Sequence, residues 1–175
     1  MITIGKKTSL LFIAPVAIWA AQAVAGEAYP TSPKSVVEAY VSADATGDAM
    51  QGKTWANVQK YTTWPASHSW DGCLVVRSHD IGAPSEAGGK TQVTVTYDVI
   101  GEFDGVRMAL APRKDQLTLE LAQQGGQWKI GGEPAKPRLS PQAALPLLKD
   151  ALEQAKAMGD DVVKAQIEES IAALK

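Results

Sequence analysis

Five side chains outside the apolar runs could move protons: His68, Asp71, His79, Asp80 and Asp98. A carboxylate or histidine serves as a general base near neutral pH when an apolar cavity desolvates it and moves its pKa toward the working pH. His79 and Asp98 sit in two β-rich segments that a tight turn would set side by side, which makes them the acid/base candidates. The competing reading of either histidine is an exposed or structurally hydrogen-bonded ring.

Other chemistries find less to work with. His68 and His79 stand eleven residues apart with no second cluster, and no HExxH or CxxC spacing occurs, so no metal centre is expected. No GxSxG elbow is present. Cys73, flanked by Gly72 and Leu74-Val75-Val76, has the surroundings of a small core residue, with an intermolecular bridge as the alternative. The glycine pairs at 88–89, 125–126 and 131–132 fall between strand segments rather than ahead of a helix, so no phosphate cradle and no cofactor are expected.

The tryptophans divide into two kinds. Trp55 and Trp128 lie on periodic apolar faces and read as core, whereas Trp64 and Trp70 stand in a polar connector. With Tyr97 they are the candidates for binding a small apolar ligand, since aromatic faces lining a cavity suit a flat or greasy molecule. Arg107, Arg113 and Lys114, to which Lys136 and Arg138 could add, read as a solvated rim or as a contact for an anionic ligand or partner.

These side chains have to be positioned by a few elements. Ser32-Pro33 supplies an N-cap and a first-turn proline, and Val36, Val37, Tyr40 and Val41 follow at helical spacing up to Gly47, which predicts a helix over 33–46. A short second helix carries Trp55, Val58 and Tyr61, with Thr54 as its cap, and ends at Trp64-Pro65. Residues 72–81 read as β-rich, 82–90 as a turn region, and 91–103 as a long strand with Val93, Val95, Tyr97 and Val99 on one face and Thr94, Thr96 and Asp98 on the other. Residues 106–110 are a short strand or loop, bracketed by Asp104-Gly105 and by 111–114. In 115–132, Leu117, Leu119 and Leu121 alternate with polar residues, Gly125-Gly126 interrupts, and Trp128 and Ile130 resume, which predicts a hairpin. Residues 133–139 form an extended linker, and Ser140-Pro141 starts a helical hairpin with a break near Gly159.

The first 25 residues have the three parts of a secretory signal peptide: Lys6-Lys7, an apolar run from Leu10 to Ala21, and the small residues Ala23 and Ala25. No cysteine directly follows that run, the one cysteine, Cys73, lying far downstream, so no lipobox is read, and the expected location is periplasmic or secreted. Removing Lys6 and Lys7 takes the formal charge from −2 to −4, which disfavours a nucleic-acid partner. The expected organisation is a signal peptide at 1–25, an α+β domain at 26–139, and a C-terminal helical hairpin at 140–175 packed on it or appended to it.

Residues 32–48, SPKSVVEAYVSADATGD, and 115–132, DQLTLELAQQGGQWKIGG, resemble the opening helix and closing strands of the nuclear transport factor 2-like superfamily, a cystatin-like cone that includes ketosteroid isomerase and scytalone dehydratase. The resemblance covers about 32–132. It implies an α+β fold, N-terminal helices held in a strongly bent antiparallel sheet, with a pocket at the open end and dimerisation through the outer sheet face. The function expected is an exported ligand- or partner-binding protein without catalytic activity, with an envelope protein among its possible partners. The alternative is a small isomerase, dehydratase or cyclase using His79 or Asp98 as base.

Overall fold

A computed structural model describes residues 28–65 and 70–175. The signal-peptide pattern and His68 lie outside the described residues. The architecture is α+β: a strongly curled, half-barrel sheet with helices before and after it.

Helix α1 (Pro33–Ala45) starts where the Ser32 hydroxyl accepts the Ser35 N–H and the Ser35 hydroxyl accepts the Ser32 N–H, so two of the donors stranded at a helix start are satisfied reciprocally. Its stripe of Val36, Val37, Tyr40 and Val41 is buried. A single 3-10 turn (Asp48–Met50) and the five-residue helix α2 (Trp55–Gln59) follow. Thr54 stands at the cap position of α2 but makes no capping bond there; its hydroxyl donates to the Asp48 and Gln51 carbonyls instead.

The strands are β1 (Cys73–Ile81), β2 (Ser85–Ala87), β3 (Lys90–Phe103), β4 (Met108–Gln124), β5 (Gln127–Ile130) and β6 (Arg138–Leu139). They form one sheet in the order β5-β4-β3-β1-β6, with β2 paired to the start of β3. All pairs are antiparallel except β1 with β6. Gly125 and Gly126 both take positive φ, +57° and +80°, the turn that matches the twist of the flanking strands.

Three sequence expectations need correction. Residues 82–90 contain strand β2 as well as a turn; its three residues are all exposed, so no apolar alternation marked it. Residues 111–114 lie within strand β4, but Ala111 and Pro112 fall in the irregularity between the Gly101–Leu110 and Val99–Arg113 pairs, so the missing proline donor costs no β3–β4 ladder bond. Residues 133–139 end in β6, a two-residue parallel strand.

A one-residue irregularity divides the core in two. Between Val99 and Gly101 the β3–β4 register shifts, so odd-numbered residues that face inward up to Val99 face the other way by Phe103. Val93, Val95, Tyr97 and Val99 pack with α1, α2, Leu119, Leu121 and Ile130 inside the curl. Ile100 and Phe103 pack instead with Cys73, Val75, Met108 and the helices α3 (Pro141–Met158) and α4 (Asp161–Ala173) on the other face. Leu148 and Ile167, both fully buried, seal that second layer.

Candidate functional site

The register separates the acid/base candidates. His79 pairs with Tyr97 and Asp98 pairs with Ser78, so neighbouring positions of β3 carry them to opposite faces of the sheet. His79 is exposed at the sheet margin, its ring centroid 6.2 Å from that of Tyr97. Asp98 is on the solvent side, with Lys114 Nζ at 3.6 Å and Arg77 Nη1 at 3.9 Å. Asp71 and Asp80 are exposed. The structure therefore does not bring these groups into one site.

Two of the three aromatic candidates, Trp64 and Tyr97, share one buried cluster, as packing. Trp64, 5 % exposed, meets Tyr40 edge to face at 5.5 Å between centroids and stacks on Trp55 at 6.5 Å. Its indole N–H donates to the Gly131 carbonyl at 3.4 Å, and that of Trp55 to the Pro65 carbonyl at 3.1 Å. Together with Tyr97, these rings belong to one buried cluster inside the curl. Trp70 is partly buried beside the exposed Asp71.

The basic residues read as a rim disperse into separate pairs: Arg107 with Asp104, Lys114 with Asp98, and Lys136 with Glu102. Arg138 is not on a rim at all. It is buried in β6, where its Nη2 reaches Asp115 Oδ2 at 3.0 Å, its Nη1 donates to the Lys136 carbonyl at 2.9 Å, and its guanidinium lies over the Tyr97 ring at 4.7 Å.

Beside it is the least expected group in the fold. Asp44, 1 % exposed, accepts the Arg138 backbone N–H on Oδ2 at 3.0 Å, while its Oδ1 meets no protein donor. Burial pushes its pKa up to about 7, against the opposing pull of the Arg138 N–H and guanidinium. The Tyr97 hydroxyl and Arg138 Nε are also buried without a protein partner. Burial raises the Tyr40 and Tyr97 phenols and pushes the Cys73 thiol up to about 12. Sequence carried one signal for Asp44: it follows Val37, Tyr40 and Val41 at spacings of seven, four and three, placing a carboxylate on the apolar stripe of α1. Arg138, between Pro137 and Leu139, carried none.

Concavities among the described residues include two that lie outside the buried cluster inside the curl. The larger, about 390 Å³, is a groove between Tyr29-Pro30, α1 and α2. Its walls are Tyr29 and Tyr61, with ring centroids 5.9 Å apart, and its floor is Ala39, Ser42 and Ala43 of α1. Asp48, held by Asn57 Nδ2 at 2.9 Å, and Lys60, whose ammonium lies 4.9 Å from the Tyr61 centroid, border it. The second, about 350 Å³, lies between the β3–β4 turn and α4, bordered by Arg107, Leu110 and Glu169. Among the described residues, no three His, Cys, Asp or Glu side chains come together in a way that could hold a metal ion.

The model of one family, the N-terminal domain of lipoprotein LpqB, matches residues 29–143 of the 175. The chain belongs to that family. This corrects the resemblance to the nuclear transport factor 2-like superfamily, which rested on a capped helix start and a Gly-turned hairpin. Helix caps and glycine turns are common local devices, so they do not by themselves carry ancestry. The LpqB match runs from the leader before α1 through the first residues of α3, leaving the rest of α3 and all of α4 beyond it. Neither the curated proteins nor the solved structures searched gave a match.

Proposed function

We propose that the chain is an exported, non-catalytic binding domain of the cell envelope, and that it meets a protein partner at the groove between Tyr29-Pro30, α1 and α2. The carrying observation is the packed interior: Tyr40, Trp55, Trp64 and Tyr97 are buried together inside the curl, so these aromatic side chains serve the core. The separation of His79 from Asp98 across the sheet argues the same way. Export is supported by the tripartite pattern of residues 1–25 and by membership of a family described as lipoprotein. Cys73 does not offer a thiol for a lipid anchor, because it is fully buried in β1.

The groove suits an extended polypeptide better than a small ligand. Its floor of small side chains lets a backbone approach α1 closely, its tyrosines offer apolar contact at low entropic cost, and Asp48, Asn57 and Lys60 can pair with polar groups along a chain. A photo-crosslinking residue placed at Lys60 should yield a discrete, larger adduct in the envelope fraction of living cells, while the same residue at Gln154, on the exposed face of α3, should not. Absence of any polypeptide adduct from Lys60, or equal adducts from both positions, would overturn the groove assignment. Retention of the protein in the cytoplasm would overturn export.

A further inference from the structure

We propose that Asp44 is a proton-operated latch, which in its neutral form holds β6, and through it the α3–α4 hairpin, against the sheet. The segment 137–140 connects the curled domain to that hairpin, and besides its β1–β6 ladder and the Arg138 guanidinium bonds three backbone donors tie it in. Leu74 N–H donates to the Pro137 carbonyl at 2.8 Å, Arg138 N–H to Asp44 Oδ2 at 3.0 Å, and Ser140 N–H to the Ala45 carbonyl at 2.9 Å. Two of these three bonds end on the last turn of α1, one of them on the Asp44 side chain.

The groups around Asp44 compensate a charge there only in part. From α1 itself Tyr40 approaches, from β3 Tyr97, from β1 Cys73, and from β6 Arg138. Two phenols and a buried thiol add no positive charge. Among the described residues the cation facing Asp44 is Arg138, whose Nη atoms bond Asp115 of β4 and the Lys136 carbonyl while its Nε meets no protein acceptor; its charge opposes the rise in the Asp44 pKa without cancelling it, and Lys136 pairs with Glu102. An ionised Asp44 would have one backbone donor, an unpartnered Oδ1 and almost no solvent, which is a costly setting for a carboxylate. A proton removes the charge and leaves Oδ2 able to accept the Arg138 N–H.

The sign follows from linkage. The Asp44 pKa is raised, to about 7 in the folded state, above its ordinary value. Its contribution to holding the segment is therefore complete below the unfolded pKa, about 3.9, declines as pH rises, and is lost above the folded pKa. Raising the pH loads charge into the seam between the two cores. Opening 137–140 relieves it by letting water reach the carboxylate.

The test uses the full chain and two NMR measurements between pH 5.5 and 8.5. The Asp44 side-chain carbon should titrate near neutrality. Hydrogen-exchange protection at the Arg138 and Ser140 amides, corrected for intrinsic exchange, should fall roughly thirtyfold across that range for a site titrating near 7 when closed and near 3.9 when open. In Asp44→Asn the protection should become independent of pH. An Asp44 carbon that titrates below pH 5 would overturn the latch, as would protection that stays level in the native chain or an Asp44→Asn variant that keeps the pH dependence. The carbon titration needs no variant, so the idea stays exposed even if Asp44→Asn fails to fold.

Discussion

Asp98 stands opposite Lys114 in the β3–β4 register, its carboxylate 3.6 Å from the Lys114 ammonium on the side of β3 that faces away from Tyr97. The Arg77 and Lys114 side chains are 61 % and 70 % exposed, so these pairs act through water and are weak. Asp98→Ala should therefore change unfolding free energy by no more than about 1 kcal/mol in urea titrations. A loss beyond about 2 kcal/mol would mean that Asp98 supports more than a surface pair.

Much of the fold was legible because its physics is local. The Ser32 and Ser140 starts, the Gly125-Gly126 turn, the Val93-to-Val99 alternation and the break at Gly159 each follow from bonds or dihedrals within a few residues. What escaped depends on tertiary position. Strand β2 exists because β3 offers it an edge, and Pro112 stays in a strand because it falls at the β3–β4 irregularity, where it has no pairing partner. The reversal of facing between Val99 and Phe103 comes from an irregularity that no periodicity announces. For the site, sequence supplied residue types without register. His79 and Asp98 looked like partners until a one-residue offset put them on opposite faces, while Asp44 passed as one more residue of an amphipathic helix.

That reversal predicts a close approach at Gly101. A Cβ there would lie 2.4 Å from the Ala109 carbonyl oxygen of β4 and 3.1 Å from the Met108 methyl carbon. The oxygen is backbone and cannot swing aside, so the strands themselves must separate. Gly101→Ala should cost about 1–3 kcal/mol or more, seen as a lowered thermal midpoint. A neutral outcome would show that the β3–β4 contact at this point is looser than described.

The helical hairpin supplies half of the second core, so it should not be dispensable. Leu148→Ala, at a fully buried position, should destabilise by about 2–5 kcal/mol, whereas Val162→Ala, 70 % exposed, should stay within about 0.5 kcal/mol. Cutting the chain after Leu139 would uncover Val75, Ile100, Phe103 and Met108 together, and the product should aggregate or unfold in size-exclusion and circular-dichroism measurements. A truncated chain that remains monomeric and melts cooperatively would show that the curled sheet is complete without its helices.

Cys73 joins the two features on which the fold depends, since it begins β1 and packs under α3 and α4. It is 0 % exposed, and burial pushes its thiol up to about 12. Only the thiolate attacks a disulfide reagent, and at pH 8 about one thiol in ten thousand would be ionised at that pKa. Two barriers therefore act together, access and ionisation, and both disappear only when the hairpin leaves the sheet. An aromatic disulfide reagent at pH 8 should label the native protein no faster than it opens, and should label it to completion once urea has unfolded it. Leu148→Ala should speed native labelling by weakening the cover, while Asp98→Ala should leave it unchanged. Rapid stoichiometric labelling of the native chain would place Cys73 at the surface, and the second core with it, and would make a bridge between two copies chemically accessible.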